Sequence, residues 1–337
     1  MGALTGQHYT RSMDAQHNLP LGSWLPLARC AVDRDANGRH DPQLLEHLLM
    51  HPNTRVLLQN RDTVLVGALP EGGLALDLRV FTQLRPVTAA TAPNPLYLGK
   101  TLHERTNTDG RVDPVGTSVI AIEVDDFHAQ QIEPNQRRWE QLTEVALELS
   151  DLDVGLFTEA LALRNFHTSH RYSPRTGAPL TSTEGGWVLR DSEGGAVFPR
   201  TDSAVIVLVT DADDRILLGA NRNWSPRFYS LLAGFVEPGE SFEQAAAREV
   251  FEEAAAEIVE LNYVGSQPWP FPASLMVGFT AKLAPHQDPA TVCADEFELA
   301  EVRWFTRAEI REHPELLPGR SSIARAMIEQ WNGQPIE

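Results

Sequence analysis

The stretch that most constrains this chain is "GFVEPGESFEQAAAREVFEEAAAE", residues 234 to 257. Pro238-Gly239 makes a turn, and Ser241 with Gln244 three residues on forms a capping box, so a helix is expected to begin at Phe242. On that helix Glu249 and Glu253 lie one turn apart on the same face, with Glu252 beside them. Like charges at this spacing repel by about 0.2–0.5 kcal/mol per pair, and here they sit towards the helix's negative end. Arg248 can pair with Glu252 at i+4. The remaining carboxylates form a hard-oxygen cluster of the kind Mg²⁺ or Mn²⁺ prefers. A bare glutamate run also reads as a solvated acidic helix face, and the helix alone does not decide between the two.

The complete spacing says more. Gly234, five residues, Glu240, seven residues, Arg248-Glu249, Val250, Phe251 and Glu252-Glu253 together resemble the Nudix box, G-x5-E-x7-R-E-U-x-E-E-x-G-U, where U is a bulky aliphatic. In that family the loop-helix-loop holds divalent cations against a diphosphate while water attacks a phosphorus. The resemblance implies that Glu249 and Glu253 are metal ligands, Glu252 a ligand or base, Arg248 the residue that orients the carboxylates, and the Ala233 carbonyl a further ligand. Such ions neutralise the diphosphate and lower the pKa of water. Two positions depart from the box: Ala255 stands for its last glycine and Ala256 for its last aliphatic. A left-handed helix cap costs alanine about 1–2 kcal/mol, so the helix is expected to run on through "AAAEI".

Beyond the helix, "SQPWPFPASLM" places Trp269 and Phe271 between Pro268, Pro270 and Pro272. Proline fixes its own φ and pushes its predecessor towards extended geometry, so this is a stiff ribbon, neither helix nor central strand, carrying two rings held ready for stacking. It resembles the signature of the NADH pyrophosphatase branch, which cleaves NAD(H) to nicotinamide mononucleotide and AMP and some of whose members remove NAD caps from RNA. The resemblance implies that Gln267, Trp269 and Ser274 contact the dinucleotide and that Trp269 and Phe235 stack on a ring. Trp269 and Phe271 also fit as core or dimer-interface anchors, and in the family the ribbon lies near a subunit interface, so a homodimer is expected. Glu298 in "DEFELAEVRWF" aligns with the distal metal-binding glutamate, with Glu296 and Glu301 solvated. Ala324 in "PGRSSIAR" falls where the family makes a backbone contact, although Ser321 or Ser322 there also reads as a helix cap.

A chain of 337 residues, 42% hydrophobic and 22% charged, is long for one core. Short strands are expected up to about residue 150, at 55–59, 63–67 and 117–124, and a helix at 157–166. Strands follow at 204–209, 215–219, 275–283 and 302–305, with a closing helix at 323–331. The fold class is α/β (α+β): a C-terminal Nudix α/β/α sandwich with a mixed sheet, preceded by a smaller strand-rich α+β N-terminal domain. The expected boundaries are 1–165 for an N-terminal scaffold, 166–199 for a connector rich in Gly, Ser, Thr and Pro, and 200–337 for the Nudix domain. Where better-known branch members carry a zinc ribbon of two Cys-x-x-Cys pairs, this chain has Ser173, Thr176, Asp191 and Gly194 or a neighbour. No structural zinc is expected; His167, His170 and Asp191 make a poor tetrahedral set. The loop is expected to persist without metal, with Phe198 near the substrate.

Two cysteines, Cys30 and Cys293, exclude a disulfide framework and suit a reducing compartment. The first twenty residues have no apolar core of signal-peptide length, and about 18 consecutive apolar residues occur nowhere, so a cytoplasmic protein is expected. A formal charge of −18 disfavours a long nucleic-acid groove, leaving Arg215, Arg222 and Arg227 as the candidate local patch. The function expected is metal-dependent hydrolysis of the diphosphate of NAD(H), with NAD-capped RNA a further substrate. The alternatives are a Nudix hydrolase for ADP-ribose or another nucleoside diphosphate derivative, and an inactive Nudix domain that senses dinucleotides.

Overall fold

The computed structural model describes residues 25–84, 94–223, 228–295 and 297–337. They fall into two compact units. The first comprises Arg29–Thr201 together with the short tip Pro270–Ala273; the second comprises Asp202–Trp269, Ser274–Glu337 and, among the described residues, 25–28. Arg227 and Glu296 lie outside the described residues.

In the first unit the chain runs β1 (Val32–Asp33), α1 (Leu44–Met50), β2 (Arg55–Asn60), β3 (Thr63–Ala68), β4 (Leu74–Leu76), β5 (Leu96–Thr101), β6 (Arg105–Thr106), β7 (Val112–Asp113), β8 (Ser118–Glu123), α2 (Asp126–Ile132), β9 (Trp139–Gln141), α3 (Leu142–Val145) and α4 (Asp151–Ser169). Six strands form a sheet in the order β1-β5-β8-β2-β3-β4, and β9 adds a seventh on β3. Only the β2–β8 pair is parallel; β6 and β7 form a separate hairpin. Alternate residues of β2, β3 and β8 (Val56, Leu58, Leu65, Ile120 and Ile122) pack with Tyr97 into one core. Helix α4 is longer than the apolar spacing predicts because Ser150 caps Asp153 N–H and Asp151 and Asp153 occupy the first turn, where carboxylates favour the helix dipole.

The segment read as a connector has a sheet of its own inside this unit: β10 (Thr181–Thr183), β11 (Val188–Arg190) and β12 (Ala196–Val197), all antiparallel. A buried carboxylate ties its loops. Asp191 accepts from Ser173 Oγ at 2.8 Å, Gly195 N–H at 2.8 Å, Glu193 N–H at 3.0 Å and Thr176 Oγ1 at 3.4 Å, with Arg175 Nη2 at 3.2 Å. The Ser173 hydroxyl first, and these backbone N–H groups with it, hold its pKa below the usual carboxylate range. His167 is not part of this knot; its Nε2 lies 2.7 Å from the Gly186 carbonyl. Asn165 of α4 donates to the carbonyls of Pro270 and Pro272, both at 2.9 Å, which fastens the short tip within this unit.

The second unit is built on β13 (Asp202–Thr210), β14 (Ile216–Asn221), β15 (Leu232–Phe235), α5 (Phe242–Ala254), β16 (Ile258–Trp269), β17 (Ser274–Leu283), β18 (Leu299–Phe305), α6 (Arg307–Glu312) and α7 (Ile323–Asn332). The mixed sheet has the order β16-β17-β13-β14-β18, with β15 also on β13. Strand β13 runs parallel to β17 and antiparallel to β14 and β15. It sorts its side chains strictly by parity. Val205, Val207 and Val209 face Ala245, Ala246, Val250 and Ala254 of α5, while Ile206 and Leu208 belong to the core that contains Ile323, Met327 and Ile328 of α7. This is a sheet between helices. The ribbon's first half is the end of edge strand β16, a place where prolines are tolerated.

One expectation is corrected here. Helix α5 does not run on through residues 254 to 258; it ends at Ala254, and Ala255 takes the left-handed conformation at φ 50°, ψ 30°. Tertiary contacts outweigh the local cost. Gln287 Nε2 donates to the Ala255 carbonyl at 2.7 Å, Cys293 N–H donates to the Ala254 carbonyl at 3.1 Å, and Ala256 is fully buried in the core.

Candidate active site

Helix α5 begins where the capping box predicts. Ser241 Oγ accepts from Gln244 N–H at 3.2 Å, and Gln244 Oε1 accepts from Ser241 N–H at 2.9 Å. Its small residues Ala245, Ala246 and Ala254 let the backbone lie close on β13, which brings the acidic face against the outer edge of β15. There Glu253 Oε2 accepts from Ala233 N–H at 3.2 Å, and Arg248 Nη2 donates to the Phe235 carbonyl at 3.0 Å. The N–H and C=O of one strand residue point the same way, so the Ala233 carbonyl lies on this edge too.

Arg248 organises the carboxylates. Its Nε and Nη2 hold Glu240 at 2.6 and 2.9 Å, and its Nη1 reaches Glu249 Oε1 at 2.9 Å and Glu252 Oε2 at 2.8 Å. Glu252, the i+4 partner predicted, is therefore one of three carboxylates that Arg248 holds. Arg248, and after it the Glu237 N–H, draw the Glu240 pKa down to about 2. Glu240 entered the sequence reading only as a box position, although its fixed spacing from Gly234 and Arg248 was the signal for this clamp.

Gly234 is explained by contact. A β-carbon there would lie 2.0 Å from the Glu249 carboxyl carbon, so glycine leaves the space that carboxylate occupies. Glu253 is only 7% exposed; burial first, then the charge of Glu249, and further Glu298 and Asp295, push its pKa up to about 8. Burial raises Glu249 as well, with Glu252 and Glu298 adding to it while Arg248 opposes. Glu298, predicted from its place before β18, thus joins the same electrostatic neighbourhood. Asp295, which the sequence reading missed, holds the turn: its carboxylate accepts from the N–H groups of Glu298 and Leu299, both at 3.0 Å. Acidic side chains crowded together and partly out of water form a site in want of positive charge beyond Arg248. Among the described residues, no three or more His, Cys, Asp or Glu are already grouped to hold an ion. The donor set is nevertheless oxygen throughout, which fits a hard divalent cation.

The ring-bearing residues converge through strand register. Ser274 pairs with both Asp202 and Trp269, and Phe235 pairs with Ala204, so Phe235, Ser274 and Trp269 share one end of the sheet. Phe235 is 59% exposed and Trp269 partly buried. Gln267 is a residue that the resemblance puts in contact with the dinucleotide. It is fully buried, its Oε1 accepting from Leu27 N–H at 3.2 Å and its Nε2 donating to the Ser321 carbonyl at 3.0 Å. Ala324 is buried in the first turn of α7, which Ser322 caps. Phe198 belongs to the first unit and is 53% exposed. Arg215 is taken up by Asp211 at 2.6 Å, and Glu301 accepts from Tyr229 at 2.8 Å.

Fold and site together define a Nudix-type α/β/α domain with an acidic helix poised beside a strand edge, and the family model and the sequence relatives agree. The NUDIX domain model matches residues 200–327. An NAD-capped RNA hydrolase NudC from Edwardsiella ictaluri is 38% identical over 186 residues, covering 54% of this chain and 69% of its own. The chain belongs to the Nudix family. An NAD-capped RNA hydrolase NudC from Mycobacterium bovis is 44% identical over 196 residues, covering 54% of this chain and 62% of its own length, less than two thirds of that relative. A crystal structure of a NUDIX hydrolase from Nitrosomonas europaea is 24% identical, with a TM-score of 0.39, over 49% of this chain and 94% of its own. No helix among the described residues is long and apolar enough to cross a membrane.

Proposed function

We propose that the protein hydrolyses the diphosphate of NAD(H) to nicotinamide mononucleotide and AMP, and that the same site removes NAD caps from RNA 5′ ends. The observation that carries this is the pair of carboxylates Glu249 and Glu253, withdrawn from water at a strand edge with the exposed Glu298 in their electrostatic neighbourhood, in a chain similar to proteins named NAD-capped RNA hydrolases. Glu249, Glu252, Glu253, Glu298 and the Ala233 carbonyl would hold Mg²⁺ or Mn²⁺. When bound, such ions supply charge neutralisation of the diphosphate and acidify water.

The protein's own residues do the positioning. Arg248 fixes Glu249 and Glu252 relative to Glu240, so the carboxylates are ordered before substrate arrives. Glu253 is held by the Ala233 N–H. The Glu252 carboxylate, 58% accessible, would serve as a ligand or as the base that takes a proton from attacking water. Trp269 and Phe235 offer ring faces at the sheet end, Ser274 a hydroxyl and Ala324 a backbone group in the first turn of α7. Gln267 acts indirectly, by fixing the Leu27 and Ser321 backbone. We assign Phe198 a contact with substrate, residues 1–165 a scaffolding role, 166–199 a metal-free ribbon and 200–337 catalysis, in a cytoplasmic homodimer.

Products separated by mass from NADH, NAD, ADP-ribose and NAD-capped transcripts test the assignment. Release of AMP with nicotinamide mononucleotide is expected, and Trp269→Ala is expected to lose NADH cleavage while keeping ADP-ribose cleavage. Preferential cleavage of ADP-ribose by the unaltered protein would instead assign it to nucleotide sugars. Dinucleotide binding with no release of AMP at any metal concentration would make it a sensor. The motive for that last reading, the Ala255 and Ala256 departures, is weakened by a helix exit that keeps its left-handed cap.

A further inference from the structure

The first unit contains a recess of about 380 Å³ that the proposed reaction does not use. That is within the range of small-ligand pockets, roughly 300–1,000 Å³. Its floor is apolar and buried: Leu96 and Ala121 come from neighbouring strands β5 and β8, and Leu189 from β11. Its wall is cationic. Arg164 and Arg171 line it, with His170 between them in sequence, and Ser182 and Thr168 add hydroxyls. Among the described residues Glu123 is the one carboxylate in the lining, and it accepts from Arg164 Nε at 2.8 Å, which fixes that guanidinium in place. Arg171 has no carboxylate partner among the described residues and is exposed to the opening.

The contrast with another recess of the same unit is informative. There Arg79, Arg111 and Arg138 are each already paired with Asp77 or Asp109. A chain with a formal charge of −18 has here kept one guanidinium, that of Arg171, without a carboxylate partner among the described residues above an apolar floor. That combination suits a ligand with an anionic end and a flat or apolar body.

We propose that this recess binds a nucleoside monophosphate, the phosphate on Arg164 and Arg171 and the base over Leu96, Ala121 and Leu189. The site stands independently of the diphosphatase reading: loss of that reading would leave it in place.

Calorimetric titration of the full chain with AMP, inorganic phosphate and adenosine, in EDTA, tests it. Saturable AMP binding is expected in the unaltered protein, and its dependence on Arg171, which lies outside the candidate active site, separates the two sites. Arg171→Glu is expected to weaken AMP about tenfold or more, and Arg171→Lys to restore most of it. Phosphate and adenosine alone should each bind more weakly than AMP. Unchanged AMP affinity in Arg171→Glu overturns the proposal. Equal affinity for AMP and either fragment overturns it too.

Discussion

Gly234 and Glu249 show how a single hydrogen atom can define a site. The group that a β-carbon on Gly234 would strike is the far end of a flexible side chain, so Gly234→Ala should fold normally while displacing the Glu249 carboxylate. Misplacement of a reacting group by about 1 Å can cost roughly 100-fold in rate. Gly234→Ala is therefore expected to retain its melting temperature and lose about two orders of magnitude in kcat; unchanged kcat contradicts the contact. A second residue effect lies away from the site. Glu159 in α4 is almost fully buried, its Oε2 3.0 Å from Arg34 Nε and its Oε1 without a hydrogen-bond partner among the described residues. Burial, only partly offset by Arg34, pushes its pKa up to about 7 from an ordinary 4.5. A raised carboxyl pKa means the folded state binds the proton more tightly. The stability it confers is full below pH 4.5 and is lost as pH rises through 7, on the order of 3 kcal/mol at most. Melting temperatures at pH 5 and pH 8 should converge in Glu159→Gln relative to the unaltered protein; an unchanged pH slope contradicts this. At this scale the sequence revealed Arg248, Glu249, Glu252 and Glu253 through spacing. It concealed Asp295, because an aspartate that holds a turn looks like any loop aspartate, and it concealed the burial of Gln267, because burial depends on Leu27 and Ser321 far away in the chain.

Among the elements, α5 separates what local chemistry decides from what it does not. Its start at Phe242 follows from Ser241 and Gln244 alone, a hydrogen-bonding device complete within four residues. Its end does not, because Gln287 and Cys293 impose the left-handed Ala255 from elsewhere in the chain. Ala255→Gly should relieve that conformation and raise stability by about 1 kcal/mol, with no loss of activity; a lower melting temperature contradicts it. The ribbon of β10, β11 and β12 is the opposite case. Nothing in the spacing of Ser173, Thr176 and Asp191 announces a hydrogen-bond knot, yet one carboxylate gathers two hydroxyls and two backbone N–H groups there. Asp191→Ala leaves these donors unsatisfied and is expected to lower the melting temperature of the first unit by several degrees, without changing the pH optimum of catalysis. Since the folded-state pKa of Asp191 is depressed, its contribution is present above the ordinary aspartate range and fades as pH falls below it.

For the whole molecule, the sandwich was legible through the resemblance, whereas the uniformly apolar run of β13 did not say which residues face which helix; in the fold Val205, Val207 and Val209 pack with α5, and Ile206 and Leu208 belong to the core that contains α7. The grouping of Pro270–Ala273 with the first unit was not legible, because it depends on the reach of Asn165. Net charge sets an expectation at this scale as well. A chain at −18 offers few phosphate contacts beyond a cap, so the rate on NAD-capped RNA should not rise with transcript length and should depend only weakly on salt. A steep fall in rate with salt contradicts it. The most direct test of the central claim is a Mn²⁺ titration of the unaltered protein and of Glu253→Gln, each followed by product analysis with NADH. The unaltered protein is predicted to bind Mn²⁺ saturably and release AMP with nicotinamide mononucleotide, and Glu253→Gln to lose both; normal turnover by Glu253→Gln with Mn²⁺ would contradict the account.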